Sequence, residues 1–508
     1  MKRKKYTKAD FAWTKWTEKD FRRIVADIIL RKKESYAAIR AIPADKRTFE
    51  NTVYALETSD DQASDEMSRI GILKEVSPNP KIRAASAKVI EGLQKKYVEI
   101  EYDPRMYAAL KEYAKKKEKL KGPEKLLFED IMKGYARMGF DLPKAGLAKL
   151  KANIKMLGKL GLKFDRNLNE YKDHILVTDA ELDGLPSSYR ANLTKVDEKY
   201  KVTLAYPDVF PFMAGAHDEE KRRELLEKFV RKGGVENVAI LKKMFSLRTE
   251  NARLLGYKTH ADYQTELRMA KSAKNVWNFI RDLERRTKKR AAQDLSMLKS
   301  DKRRRTGDAR AVLGAHDVAY LFKQIRKEKF DIDSDVVKEY FPFEHVKQAT
   351  LDAYQKLLGV VFRRHLDVKL WHQDAQVYDV CDKSGDYLST FILDLYPREG
   401  KYGHACASEI TYGRQEGNEY RAPLAAMLAN FPKPSAENPS LMSHGEVETF
   451  FHEFGHIMHF TLTKARYRAQ SGFSVAMDFV EAPSQMLENW VWDAGMLTRL
   501  SKHYKTGR

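Results

Sequence analysis

The segment with the clearest capacity for chemistry runs Glu446-Val-Glu-Thr-Phe-Phe-His452-Glu453-Phe-Gly-His456-Ile-Met-His459. It contains the pattern H-E-x-x-H inside a helical period. At about 100° per residue, His452 and His456 fall one turn apart on one face, so both imidazoles can reach a single tetrahedral ion. Glu453 is rotated to the side, where its carboxylate can hold a metal-bound water rather than the metal. With 13 histidines in 508 residues and glutamate at roughly 7%, chance supplies about 0.02 such matches per chain.

Two ligands leave an ion too open, because a catalytic zinc normally takes three protein ligands and one water. His459 lies one further turn along the same helix and is poorly placed to join the first two. Downstream, Asp478-Phe-Val-Glu481-Ala-Pro-Ser-Gln-Met-Leu-Glu488-Asn-Trp-Val-Trp has helical apolar spacing, and His503 follows. A polar break at Gln470–Ser474 allows an antiparallel return, which makes Glu481 the best placed acid.

The elements that must carry these residues are mostly helices. Gly and Pro, 26 and 16 of 508, are sparse, and apolar residues recur at helical spacing, as in Ile82, Ala85, Val89 and Leu93. Residues 1 to 205 read as an N-terminal helical domain and 206–508 as the domain holding the chemistry. Residues 216 to 370 also read helical. Asp374–Cys381 and Tyr387–Tyr396 are β-branched and aromatic, and predict a two-stranded hairpin. Ala425–Phe431 predicts a third strand, ended by Pro432 and Pro434, that could serve as a sheet edge pairing with an extended peptide or as an ordinary core strand. Trp490 and Trp492 read as core anchors. His404 and His444 precede the site and can serve either in contacts around it or in structure.

The composition limits the function classes. A 43% apolar chain can bury a large core, and no apolar run approaches the length of a membrane span. Two cysteines, Cys381 and Cys406, cannot make a disulfide framework, and the basic start lacks an apolar signal segment, so a cytoplasmic location is expected. The net charge of +21 invites a nucleic-acid reading. Its densest run, Arg281 to Arg310, is interrupted by acids in the manner of a solvated helix face, and no nucleic-acid motif accompanies it.

HEFGH followed by FVEAPSQMLENW, and preceded by LDLYPREGKYGHA and AAMLANF, resembles the M3 family of zinc oligopeptidases. The resemblance extends upstream through Leu247–Tyr263 and Tyr340-Phe-Pro. It implies a mainly α fold of two helical lobes flanking a channel, with a small β-sheet beside the H-E-x-x-H helix. It further implies one zinc ion on His452, His456 and Glu481, with Glu453 as the catalytic glutamate. The expected function is hydrolysis of internal bonds of short peptides by Glu-assisted attack of a zinc-bound water. The resemblance also implies a further C-terminal stretch bearing tyrosine and histidine donors for the developing oxyanion. The catalytic domain is therefore expected to be C-terminally incomplete; a split gene with a complementing C-terminal polypeptide as partner, a truncated gene product and a partial sequence all fit. The alternative function is a zinc-binding, catalytically deficient peptide-binding fragment or subunit that needs that segment.

Overall fold

The computed structural model describes residues 3–330, 334–431, 433–434 and 439–508. Among the described residues helices dominate, with three small sheets. Two compact units are present: Met1–Asp141 with Ser334–Arg508, and Leu142–Asp333.

The first unit is built on a five-stranded sheet. Its strands are β1 (Val360–His365), β2 (Gln376–Asp382), β3 (Tyr387–Asp394), β4 (Cys406–Thr411) and β5 (Leu424–Leu428), in spatial order β1-β2-β3-β5-β4. β2 and β3 are the expected antiparallel hairpin, with Tyr378 opposite Phe391. β5 runs parallel to β3, with Ala425 opposite Phe391, and antiparallel to β4, with Met427 opposite Ala407.

β5 is therefore an interior strand, which overturns the edge reading of Ala425–Phe431 in favour of the core strand. All five of its residues are buried, and a continuous apolar run is what a strand covered on both faces requires. The edge next to it is β4. Its sequence, Cys-Ala-Ser-Glu-Ile-Thr, lacks apolar alternation because an edge need not pack on both sides. β1 likewise interrupts the stretch expected to be helical throughout.

Alternation sends successive side chains of the sheet to opposite layers. Ala425, Met427, Phe391 and Leu393 face α5 (His444–Thr461) and pack with its Phe450, Phe454 and Ile457 and with Tyr354 of α4 (Phe343–Leu358). Leu424, Ala426, Leu428 and Ile392 face the other way. They pack with Phe21 and Ile28 of α1 (Glu18–Ala41) and Leu73 and Val76 of α2 (Asp61–Val76). The N-terminal helices thus complete the layer beneath the sheet, because a central strand cannot leave one face wet. They share its core, and 205/206 falls inside the second unit.

In that second unit, α3 (Lys144–Asn169) packs along Gly234–Leu254, joined where Asn153 Nδ2 donates to Glu250 and Asn251, each at 2.8 Å. The strand order β(His174–Val177), β(Lys199–Thr203), β(Thr194–Val196) forms an antiparallel sheet in a stretch whose sequence reads helical. The basic run lies on the 34-residue helix Ala273–Thr306. There Arg285, Arg286, Arg290, Arg304 and Arg305 each reach an aspartate of the same helix, the pairing that mixed-sign spacing favours.

Candidate metal centre

α5 begins at a capping box: Ser443 Oγ accepts from the Glu446 N–H at 3.2 Å, and Glu446 Oε2 accepts from the Ser443 N–H at 2.7 Å. With that start set, His452 and His456 present their rings from successive turns, and their Nε2 atoms lie 3.1 Å apart. The chain then returns through 462–480 into α6 (Glu481–Glu488), which packs on α5.

Gly455 allows the close approach of the two helices. A Cβ there would stand 3.1 Å from Ser484 Cα, 3.2 Å from Leu487 Cδ1 and 3.3 Å from the Tyr354 hydroxyl. Glu481, at the head of α6, consequently places Oε2 3.1 Å from His456 Nε2 and 3.3 Å from His452 Nε2. Ser484 Oγ donates to the same Oε2 at 3.0 Å and restrains it.

These separations test the fit of an ion. Donors at ~2.0–2.1 Å from a tetrahedral centre lie about 3.3 Å from one another. The observed 3.1, 3.1 and 3.3 Å match that edge length. Two imidazole nitrogens and a carboxylate oxygen are the donor set that suits zinc, cobalt or manganese.

The surrounding groups divide the work. Glu488 Oε1 lies 2.6 Å from His452 Nδ1; Nδ1–H donates to it and Nε2 keeps its lone pair. The Nδ1 of His456 is buried without a hydrogen-bond partner among the described residues. Burial holds His456 below the ordinary histidine pKa, although Glu481 opposes that. Glu453 is buried beside the cluster. Burial pushes its carboxyl above the usual range, His452 pulls it down, Glu481 raises it, and the N–H of Ala407 on β4 lowers it. The balance is upward.

The other histidines lie apart from the cluster. His459 packs its ring against Phe473 and Phe479. His444 Nε2 donates to the Val491 carbonyl at 3.0 Å, His503 pairs with Glu339, and His404 rests on Tyr402. Trp490 and Trp492 are 40% and 64% exposed, which corrects their reading as core anchors. Trp490 borders an apolar groove of about 710 Å³ that Leu357, Met458, Leu462 and Met486 also line.

The family model described as peptidase family M3 matches residues 212–508. The chain belongs to peptidase family M3. Thimet-like oligopeptidase of Dictyostelium discoideum is 34% identical over 484 residues, covering 91% of this M3 chain and 72% of the relative. Saccharolysin of Saccharomyces cerevisiae is 34% identical over 399 residues, covering 75% and 56%. Oligopeptidase A of Escherichia coli is 27% identical over 491 residues, covering 91% and 70%.

A second group of ligand-type side chains in this M3 chain, Glu219, His316 and Asp317, already holds a cation. Lys302 Nζ sits 2.8 Å from Glu219 Oε1 and 2.5 Å from Asp317 Oδ2. Sequence reasoning on the M3 site missed Ser484, the Ala407 amide and the role of Glu488. Glu488 follows Glu481 by seven residues, the two-turn spacing that returns a side chain to the same helix face.

Proposed function

We propose that the chain is a zinc metallopeptidase that hydrolyses internal peptide bonds of short oligopeptides in the cytoplasm. The observation that carries the reading is the mutual approach of His452 Nε2, His456 Nε2 and Glu481 Oε2 to within 3.3 Å, with Glu453 beside them, in a chain of the M3 family. Membership and the relatives named oligopeptidases support peptides as substrates. Among the described residues no helix is long and apolar enough to cross a membrane, and both cysteines are free.

In this reading His452, His456 and Glu481 hold the ion. Zinc bound there supplies Lewis acidity, polarising a scissile carbonyl and acidifying a water. Glu453 accepts a proton from the attacking water and delivers it to the departing amine nitrogen. Among the described residues β4 pairs on one side only, and its other edge can pair with an extended peptide irrespective of side chains; its Ala407 amide favours the charged form of Glu453.

A second reading, a zinc-holding subunit that turns over only with a complementing polypeptide, is favoured by the apolar groove. Leu357, Met486 and Trp490, respectively 46%, 62% and 40% exposed, are a surface that a partner would cover.

The test is cleavage of a quenched fluorescent peptide library, with and without chelator, beside Glu453→Gln and a metal count. Chelator-sensitive cleavage that Glu453→Gln abolishes is expected. One bound zinc without cleavage would favour the second reading, and no bound metal would end both.

A further inference from the structure

Lys401 is a buried charge that the chemistry above does not use. Its side chain is 0% exposed. Nζ donates to the carbonyl oxygens of Ala429 at 2.6 Å, Tyr396 at 2.7 Å and Asp394 at 2.8 Å, and lies 2.9 Å from Asp394 Oδ1. Four oxygens around one nitrogen require the ammonium form. A neutral amine has only two protons and would aim its lone pair at an oxygen. Burial lowers the lysine pKa, and the adjacent Asp394 opposes that.

The position of this cage is as informative as its chemistry. Asp394 ends β3, Tyr396 follows it, and Ala429 follows β5, so one ammonium ties together the ends of the two central parallel strands. Asp394 is itself held by Arg398 Nη1 and Nη2, both at 2.7 Å, and by the Trp371 indole at 2.7 Å. From Lys401 the chain passes Tyr402, whose N–H donates to Glu75 at 2.8 Å and whose carbonyl accepts from Asn430 at 2.9 Å. It then enters β4, which packs against α5, the helix that carries Glu453.

We propose that Lys401 is a positioning residue, a built-in monovalent cation in a cage of backbone carbonyls that fixes the edge strand β4 against Glu453. Backbone carbonyls that surround a cation are also the coordination a potassium ion accepts. Truncation to alanine would leave that cage vacant and open to a cation of similar radius. The kinetic part of this inference rests on the proposed peptidase reading; the structural part does not.

The experiment is amide hydrogen exchange on the full chain and on Lys401→Ala in sodium buffer, then with excess potassium or n-propylammonium. In Lys401→Ala, amides of residues 405–411 are expected to exchange about tenfold faster or more, with those of α5 unchanged. Potassium or n-propylammonium should restore their protection, and sodium or tetramethylammonium should not. Lys401→Met, which fills the space without charge, should show the same loss with no restoration. The kcat for a short peptide should fall and return with the same cations. Parental exchange at 405–411, equal acceleration throughout α4 and α5, or equal rescue by all cations would overturn the proposal. Should Lys401→Ala not accumulate as folded protein, Asp394→Asn reads the same edge, and unchanged exchange at 405–411 there overturns it too. If the parent chain cleaves no peptide, the exchange results still decide this inference while the peptidase reading fails separately.

Discussion

Glu488 Oε1 stands 2.6 Å from His452 Nδ1, on the side of the ring away from the nitrogen that faces His456 and Glu481. The bond fixes both the tautomer and the rotation of the ring, since only Nδ1 can then carry the proton. Glu488→Gln should lower zinc affinity by ~10–100-fold, the usual cost of losing such a partner. Competition against a chromophoric chelator reads it. An affinity equal to the parent's would mean that packing alone orients His452.

Gly455 governs the distance between α5 and α6. Its missing Cβ would meet backbone at 3.1 Å, at Ser484 Cα, and backbone cannot swing aside as a side-chain end can. Gly455→Ala should destabilise the chain by about 1–3 kcal/mol through overpacking. It should also weaken zinc binding, because α6 carries Glu481. Calorimetry and a metal titration on the same variant separate the effects. Unchanged affinity with a lowered Tm would show that Glu481 follows its ligand partners despite the displaced helix.

The parts legible in sequence are those where periodicity and chemistry coincide. His452 and His456 could be placed on one face because four residues make about one helical turn, and the β2–β3 hairpin could be read from β-branched and aromatic runs. β4 was not legible, since its residues Cys406–Thr411 carry no alternating pattern, and with β4 hidden β5 could pass for an edge. The layer made by α1 and α2 was hidden for a different reason. Their apolar faces announce a partner without naming it, and the partner, β5, lies about 350 to 400 residues further along the chain. Glu488 had the right spacing but no chemical pattern of its own, because an orienting carboxylate differs from any other acid only by what it touches.

Acid should expose the buried ion cluster of the second unit. Asp317 receives Lys302 Nζ at 2.5 Å, Arg222 Nη2 at 3.1 Å and the Gly314 N–H at 2.8 Å. Burial pushes its carboxyl up, but the Lys302 bond and the Gly314 amide outweigh burial and hold it below the ordinary value. A carboxyl depressed in the folded state stabilises above its unfolded pKa and loses that contribution as pH falls through the folded one. Asp317→Asn should therefore cost about 3–5 kcal/mol at neutral pH, leaving Lys302 and Arg222 underpaired. The gap to the parent should narrow below about pH 4. Denaturant titrations at several pH values measure it, and a gap independent of pH would refute the assignment.

Metal removal should separate holding an ion from using it. Three donor atoms within 3.3 Å of one another repel unless a proton or a cation lies among them, so a bound cation would be stabilised there. At free zinc near 1,000 times Kd, binding adds about 4 kcal/mol to stability. Chelator should accordingly lower the Tm, and zinc should restore it. Glu481→Gln, which keeps the shape of the side chain but removes the anionic donor, should largely abolish that response. In the proposed reading Glu453 acts on protons and does not hold the ion, so Glu453→Gln should keep the full response to zinc and lose peptide cleavage. If Glu453→Gln lost the zinc response as well, Glu453 would belong among the ligands and its role as the proton carrier would have to be abandoned.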